Sequence, residues 1–261
     1  MNTAIPKLSA RRWKRRLLIG LGVVAAVIVV MMGALYAFMK YSVLPLTDSE
    51  TLSNGTVTTV ITDYFGPVAI GAYLFDLKDG GMGLVDAGSD PGAKAILAAL
   101  ARRGKSAADV RAIFITHQHA DHAGGARAFP GAQVYVLEPD RAAIERRGIT
   151  ITRGLRDGER LDISGTVVET FGVPGHTPGS GAFLVNGVLF LGDSAAAAHN
   201  SSFQPNTIMG SDPDQTVRSL RTLVDRLRLR RGEIRHLAFG HQGTLAGFDP
   251  MLQWASTSDS N

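Results

Sequence analysis

Three of the seven histidines in this chain fall within one stretch, ITHQHADHAGG, which runs from Ile115 to Gly125. His117 and His119 lie two residues apart at the predicted end of a strand, where alternate side chains point the same way. The two imidazoles can therefore bind one metal ion. Asp121 and His122 follow where the chain turns toward a predicted helix, and they can face a second point close by. The stretch predicts a metal site.

Three more residues of ligand type lie in the same kind of place. Each follows a predicted strand and has a glycine beside it: His176 in PGHTPGS, Asp193 in FLGDS and His241 in FGHQG. Loops at strand ends are where α/β proteins assemble their sites, and glycine lets the backbone approach a ligand closely. His236 lies inside a strand and is predicted to be structural. The chain has no cysteine, so histidine and carboxylate must supply the ligands.

The elements that position these residues begin with a predicted hairpin, GTVTTVITDY and VAIGAYLFDL around the turn YFGP. Tyr64 and Phe65 at its tip are candidate substrate contacts, as an apolar flap, with ordinary packing as the alternative. Strand and helix patterns then alternate, which is typical of an α/β protein. One predicted helix has Pro91 near its start, the run Ala195–Ala198 predicts a loop or helix turn, and Asn186-Gly187 predicts a hairpin turn.

The chain resembles the metallo-β-lactamase superfamily of metallohydrolases over about residues 55 to 245. Four motifs carry the resemblance: VDAG at Val85–Gly88, THQHADH at Thr116–His122, GHTPGS at Gly175–Ser180, and GDS at Gly192–Ser194 with the late GH of Gly240–His241. The resemblance implies an α/β fold of the αββα sandwich type, two sheets face to face with helices outside. It also implies one zinc held by His117, His119 and His176, a second held by Asp121, His122 and His241, a bridging Asp193, and a supporting role for Asp86.

This ligand set predicts a dinuclear zinc hydrolase acting on a small molecule. Two metals that share a carboxylate lower the pKa of a trapped water to about 7 or below, which gives a bridging hydroxide at neutral pH. The predicted reaction is cleavage of a small ester, thioester or lactone bond, or of an amide, and Asp121 is predicted to orient the hydroxide and carry its proton. Iron or manganese would suit the same ligands.

Several alternatives use the same fold. A mononuclear iron sulfur dioxygenase is disfavoured by the complete second ligand set, and a metal-binding module without turnover predicts a missing ligand. True β-lactamases of the superfamily typically have cysteine or serine where Asp193 stands, and related lactonases have a tyrosine soon after it, whereas no tyrosine follows Tyr135. Phosphodiesterase activity stays open. A dedicated glutathione domain is not expected, since twenty residues follow His241. In the loop from 194 to 210, His199 and Asn200 are candidate substrate contacts.

The N-terminal region differs in charge from the rest of the chain. Residues 1–40 contain seven Lys and Arg and no Asp or Glu, so the remaining residues hold 20 basic and 23 acidic groups. The globular part is therefore about −3 by this count, which argues against a nucleic-acid partner, and the arginines of the late helix are predicted to lie on an exposed face. Oligomeric state is not predicted.

The uncharged stretch Leu17–Met39 would span roughly 34 Å as a helix, enough to cross a hydrocarbon core of about 30 Å. We therefore predict a basic cytoplasmic segment at 1–16, a transmembrane helix at 17–39, a linker at 40–54 and a metallo-β-lactamase-like domain at 55–261. The basic flank predicts a cytoplasmic N-terminus and a periplasmic or extracellular domain. Cleavage of the segment as a signal peptide, giving a secreted protein, is the alternative.

Overall fold

The computed structural model describes residues 8–257, and it divides the chain into one unit up to Tyr41 and a second from Ser42 onward. The first unit contains helix α1 (Leu8–Tyr41). Its segment Arg12–Phe38 is long and apolar enough to cross a membrane, with a mean hydropathy of 2.7. A signal sequence passes the same test, so anchoring and topology stay predictions.

The region predicted as a linker, 40–54, lies partly in each unit. Tyr41 ends α1, and residues 42–54 belong to the second unit. Val43 forms a β-bridge with Ala198, and the backbone N–H of Leu44 donates to the carbonyl of Ala197 at 2.9 Å. Leu46 is buried. The body of the second unit therefore begins directly after the helix.

Two sheets form the centre of the second unit. The first contains, in spatial order, β1 (Thr51–Leu52), β2 (Val57–Phe65), β3 (Val68–Asp76), β4 (Met82–Val85), β5 (Val110–Phe114), β6 (Gln133–Leu137) and β7 (Arg153–Leu155). Its first four strands are antiparallel neighbours and its last four are parallel neighbours. The parallel part brings the ends of β4 and β5 to one edge, where the loops that follow them can meet.

The second sheet is mixed and smaller. Its strands are β8 (Arg160–Ile163), β9 (Thr166–Gly172), β10 (Gly181–Val185), β11 (Val188–Phe190), β14 (His236–Ala238) and β15 (Leu245–Ala246), in the order β15-β14-β11-β10-β9-β8. A separate short pair consists of β12 (Ala195–Ala197) and β13 (Phe203–Pro205). The prediction of a loop or helix turn for the alanine run is therefore wrong, because pairing with β13 extends it.

The helices α2 (Lys94–Arg102), α3 (Ala120–Ala123), α4 (Glu138–Glu145), α5 (Pro213–Leu227) and α6 (Asp249–Thr257) complete the unit, with short 3₁₀ turns at Ala107–Asp109, Gly124–Ala128, Gly192–Ser194 and Arg228–Glu233. Helix α2 starts later than predicted. Ala93 precedes it in a left-handed conformation at φ 45°, and Asp90 accepts from the N–H groups of Gly92 and Lys94. Pro91 lies in this turn, outside the helix.

Three buried clusters show the layering. Between the sheets, Phe114 of β5 and Phe183 of β10 contact each other with ring centroids 5.2 Å apart. On the outer face of the first sheet, Ile113 of β5 packs in a cluster with Ile96 of α2, and a third cluster joins Leu220 of α5 to the second sheet. The alternation of Ile113 and Phe114 between two cores follows the period of two in a strand. The prediction of an αββα sandwich is confirmed.

A largely buried ion pair joins the second sheet to the turn after α5. Arg230 donates to both carboxylate oxygens of Glu169, at 2.9 and 2.6 Å, and the Glu169 side chain is 14% exposed. The hydrogen bond from Arg230 is the main reason that the pKa of Glu169 is lowered. A lowered pKa in the folded state stabilises the protein at pH values above the ordinary pKa of Glu. This contribution is lost as the pH falls through the lowered pKa of the folded state.

We expect Glu169→Gln to reduce the free energy of unfolding by about 1 to 3 kcal/mol near neutral pH, because Arg230 loses the more buried of its two carboxylate partners and keeps only the exposed Glu233. The difference between the two proteins should shrink as the pH falls below the ordinary Glu pKa of about 4.3, and it should vanish only below the lowered pKa of folded Glu169. Urea denaturation at several pH values measures both effects. Asp225→Asn is the control, since its ion pair with Arg228 is exposed and 3.7 Å long. An equal loss in the control would contradict the prediction.

Candidate metal centre

The loop after β5 presents the first ligand cluster. His117 Nε2 lies 2.9 Å from His119 Nδ1, and His176 Nε2 lies 3.1 Å from the same His119 atom. Asp193 Oδ2 is 3.9 Å from His117 Nε2 and 3.7 Å from His176 Nε2. Three imidazole nitrogens and one carboxylate oxygen thus converge on one point. This donor set is typical of a four-coordinate zinc site.

Asp121, His122 and His241 form the second cluster. Asp121 Oδ2 lies 3.7 Å from His122 Nε2 and 3.4 Å from His241 Nε2. Asp193 faces this cluster too, with Oδ1 3.4 Å from His122 Nε2 and Oδ2 3.1 Å from His241 Nε2. All seven residues predicted as ligands therefore come together, and Asp193 lies between the two groups.

The local geometry of His117 and His119 differs from the predicted extended strand. Strand β5 ends at Phe114, and His119 already precedes the first turn of α3. Because the two histidines lie in a loop, they direct different atoms, Nε2 and Nδ1, toward the same point. Strand alternation is therefore not what brings them together.

Asp86, for which the resemblance implied a supporting role, contacts His122 of the second cluster. It is buried and adopts a positive φ of 58° just beyond β4. Its Oδ2 lies 2.8 Å from His122 Nδ1 and also accepts from the hydroxyl of Thr116, while Oδ1 accepts from the Thr116 N–H. A proton on Nδ1 leaves His122 Nε2 available for a metal ion.

Backbone carbonyls orient two further imidazoles, and the sequence analysis did not identify them. His241 Nδ1 lies 2.9 Å from the carbonyl oxygen of Ala69, and His176 Nδ1 contacts that of Met209. An N–H on Nδ1 donates to the carbonyl in each case and leaves Nε2 free for the ligand cluster. Every residue has a carbonyl, so no residue type could have marked these two positions.

Asp140 is a second positioning residue that the sequence analysis missed. It is fully buried at the start of α4. Its Oδ1 accepts from the N–H of Gly179, and its Oδ2 accepts from the N–H of Gln118 and the hydroxyl of Thr177, all at 2.6 to 2.8 Å. It therefore ties the loop of His117 and His119 to the loop of His176. The only signal was an acid three residues after the end of a buried strand.

The charges of the site are strongly coupled. Burial lowers the pKa of His117 and His119, which keeps both imidazoles neutral. Burial also opposes charge on His122 and His241, but hydrogen-bonded partners together outweigh it and raise the pKa of both: Asp193 and Asp86 for His122, and Asp193 with the carbonyl of Ala69 for His241. The same two histidines hold the pKa of Asp193 well below its ordinary value despite burial. Asp193 is therefore a carboxylate, as a metal ligand must be.

The seven residues fit a pair of divalent cations. Within the described residues, His122 Nε2 and Asp193 Oδ1 are buried and have no hydrogen-bond partner. Buried polar atoms without a partner are costly, and a cation between them would satisfy both. Gly240 completes the fit, because a Cβ there would lie 2.1 Å from Asp193 Oδ1.

The other predicted site residues lie outside the two clusters. Tyr64 and Phe65 are 62% and 71% exposed near the tip of the β2–β3 hairpin. His199 and Asn200 are exposed, and Asn200 Oδ1 accepts from the N–H and hydroxyl of Ser202. Contact of these four residues with a substrate stays a prediction. His236 lies in β14, as expected of a structural residue.

The fold and these residues define an αββα sandwich with a candidate two-metal centre at one edge of its sheets. The family model of the metallo-beta-lactamase superfamily matches residues 66–230. The chain belongs to this superfamily.

Curated relatives are hydroxyacylglutathione hydrolases. The one from Acaryochloris marina is 31% identical over 200 residues, covering 72% of this chain and 70% of the relative. The one from Synechococcus sp. is 35% identical over 175 residues, covering 65% of this chain and 61% of the relative. A third relative, from Vibrio campbellii, is 39% identical, but the match covers only 32% of either chain. The matched regions thus span a third to about two thirds of these relatives.

Solved structures agree on the fold. A metallo-beta-lactamase family protein from Thermus thermophilus is similar with a TM-score of 0.59 and 23% identity, covering 78% of this chain and 80% of that one. A metallo-beta-lactamase from Pontibacter korlensis gives a TM-score of 0.58 and 18% identity, covering 78% and 94%. At these identities the likeness concerns the fold alone.

The role of Asp86 can be tested separately from the ligands. In Asp86→Asn only one oxygen can accept, so either His122 Nδ1 or the N–H of Thr116 loses its acceptor and faces the amide N–H₂, and the imidazole loses its fixed orientation. We expect a divalent cation to bind about 10- to 100-fold more weakly at the second cluster, with a smaller change at the first cluster. Zinc titration calorimetry measures both affinities, with the exposed Asp225→Asn as control. Two unchanged affinities in Asp86→Asn would rule out this role.

Proposed function

We propose that this chain is a hydrolase that holds two zinc ions and cleaves a small thioester, ester or lactone bond. The observation that carries the proposal is the position of Asp193, whose Oδ1 faces His122 and whose Oδ2 faces His241 and His176, at 3.1 to 3.7 Å. A shared carboxylate of this kind supports two metal ions close together. Histidine and carboxylate donors suit zinc, and they also suit iron and manganese.

Zinc bound here would supply a nucleophile at neutral pH, since it lowers the pKa of a coordinated water to about 7. The chain itself determines where the substrate approaches. The side chains of His117 and His122 are at most 1% exposed, whereas that of Asp121 is 34% exposed. Asp121 therefore lines the open side of the site. We assign it the role of orienting the attacking water and holding its proton on the carboxylate oxygen other than Oδ2, because Oδ2 faces His122 and His241.

The bond class rests on the relatives. Their name, hydroxyacylglutathione hydrolase, describes cleavage of a thioester, and the superfamily match covers the segments that carry six of the seven candidate ligands. This favours a thioester as the first bond to test and an ester or lactone as the second. The proposal extends only the bond class from the relatives to this chain, and it does not include glutathione as the thiol half of the substrate.

Metal content and turnover test the proposal together. The full chain would be purified without added metal, analysed by elemental mass spectrometry, and assayed on acyl thioesters, esters and lactones. We expect two zincs per chain and thioester cleavage. His119→Ala should lose the two-zinc content and the thioester cleavage, because His119 Nδ1 contacts both other imidazoles of the first cluster. His236→Asn is the matched histidine control.

The same preparation distinguishes the alternatives. One iron per chain with oxygen uptake on a persulfide, and no thioester cleavage, would replace the proposal with a sulfur dioxygenase. Turnover confined to a β-lactam or to a phosphodiester would keep the hydrolase and change its substrate. Two bound metals with no turnover of any of these compounds would favour a metal-binding module.

For localisation, we propose that α1 anchors the protein with its N-terminus in the cytoplasm and the second unit outside. The support is the apolar segment Arg12–Phe38 and the basic residues that precede the apolar stretch. Because the chain has no cysteine, Ser256→Cys at an exposed position of α6 introduces one thiol. A maleimide that cannot cross the membrane spanned by α1 should label this thiol in cells in which that membrane is intact and its outer side is accessible to the reagent. Labelling only after lysis would contradict the topology.

A further inference from the structure

One exposed apolar pair, Tyr64 and Phe65, lies beside the second ligand cluster; we call it the hairpin pair. Tyr64 is the register partner of Ala69, whose carbonyl oxygen lies 2.9 Å from His241 Nδ1. Asp63 holds the tip in place, since its Oδ2 accepts from the hydroxyl of Ser89 at 2.8 Å. The hairpin pair therefore lies on the strand opposite the Ala69 carbonyl that contacts His241.

Ile208 and Met209, a second exposed apolar pair, lie beside the first cluster; we call them the loop pair. Their exposed fractions are 87% and 67%. The carbonyl of Met209 contacts His176 Nδ1, and the N–H of Ser211 donates to the carbonyl of His176 at 3.1 Å. The loop pair thus adjoins the metal centre at His176, while the hairpin pair adjoins it at His241.

Exposed apolar side chains are concentrated at these two places. Among the described residues of the second unit, the exposed large hydrophobic residues are Tyr64, Phe65, Val167, Ile208, Met209 and Leu229. Four of these six form the two pairs beside the ligands. Single exposed apolar residues are common on protein surfaces, but a group around a site indicates that it binds something apolar.

The charge pattern around the centre points the same way. Lysine and arginine are absent from residues 41–77, 112–126, 161–217 and 236–261, which include all seven ligands and both pairs. Arg218, the first cation after the loop pair, donates to Gln215 and lies near Asp212. The hairpin instead carries Asp63, whose pKa is lowered chiefly by the hydrogen bond from Ser89. These segments offer an anionic substrate no cationic side chain.

We propose that the substrate carries an uncharged aliphatic acyl chain, which lies against the hairpin pair or the loop pair while its thioester or ester group faces Asp121. The inference rests on the hydrolase function proposed above and narrows its substrate class. A glutathione thioester differs in having two carboxylates on its thiol half, for which these segments provide no partner. A substrate with a neutral thiol or alcohol half avoids the cost of removing unpaired carboxylates from water.

Two thioester series test the inference on the zinc-loaded full chain in one fixed nonionic detergent. In the first series, acyl groups of increasing length from acetyl to octanoyl are attached to N-acetylcysteamine, a neutral thiol. In the second series, the same acyl groups are attached to glutathione. We expect kcat/KM to rise about two- to fourfold per methylene, since full burial of one methylene is worth about fourfold. The neutral series should exceed the glutathione series at every chain length.

Variants locate the effect. Phe65→Ser and Met209→Ser should each reduce the ratio of octanoyl to acetyl kcat/KM by about 10-fold, the expected loss from removing a large apolar contact. Leu229→Ser is the matched control, because Leu229 is 93% exposed and lies in the turn after α5. Its ratio should not change. Turnover without chain-length dependence, or a preference for glutathione thioesters, would overturn the inference while leaving the hydrolase in place.

A binding experiment separates this inference from the hydrolase proposal. A neutral dodecanoyl amide bearing an alkyl diazirine is photolysed with the full-length His119→Ala variant, and labelled peptides are mapped by mass spectrometry. Labelling of segments 57–76 or 203–211 above that of the segment around Leu229, and its suppression by octanoyl thioester, supports acyl-chain binding even if no substrate is hydrolysed. Equal labelling of all three segments overturns it.

Discussion

Asp193→Ala is expected to abolish hydrolysis and to prevent the chain from holding two metal ions at the affinity of the unchanged protein. Asp193 is the only one of the seven ligands that faces both clusters. Changing a residue that merely orients a ligand costs about 10- to 100-fold in metal affinity or activity, so losing a shared ligand should cost more than about 100-fold. The variant also removes a carboxylate that raises the pKa of both His122 and His241, although His122 keeps its contact with Asp86.

Elemental analysis after dialysis and kcat/KM on a thioester measure the two effects. Circular dichroism establishes that the variant is folded, and Asp225→Ala serves as an exposed control. Asp193→Asn provides a second variant of the same size. Its amide oxygen can serve one cluster only, so we expect one retained metal. Two tightly bound metals in either variant would show that Asp193 is not shared.

Gly240→Ala is expected to reduce kcat/KM by about 100-fold although it removes no functional group, because a displacement of about 1 Å at a reacting centre has an effect of that size. A Cβ at this position would lie 2.1 Å from Asp193 Oδ1 and 2.6 Å from His122 Cε1. Both side chains are largely buried, with exposed fractions of 10% and 0%, so they cannot move away into solvent. The methyl group therefore displaces the shared ligand.

The control for this variant is Gly232→Ala, where a Cβ meets nothing within 4 Å. Neither glycine has a positive φ, so the two substitutions differ in steric contact rather than in backbone strain. Steady-state kinetics and metal content would be measured for both. If Gly240→Ala kept full activity, the close approach of the backbone to Asp193 would have no role in positioning the site.

Local sequence patterns predicted much of the fold. The alternation around the first hairpin and the dipeptide Asn186-Gly187 predicted real turns, and the latter two residues have positive φ values of 51° and 77°. Such signals are local, because turn geometry depends on the residues within the turn. Predictions failed where distant contacts decide. Ala195–Ala197 becomes a strand because Phe203–Pro205 and the segment around Leu44 pair with it.

For the site, residue types and spacing alone singled out all seven residues that the structure brings together in the two clusters, and resemblance to a known superfamily sorted them into two sets. Histidine and aspartate are informative because few side chains bind metals. The tertiary structure decided what holds those ligands in place: the carbonyls of Ala69 and Met209, and the carboxylate of Asp140 between two loops. It also decided that apolar pairs from two separate hairpin and loop segments adjoin the same centre. These are contacts between segments far apart in the chain, and one sequence carries no record of which segments meet.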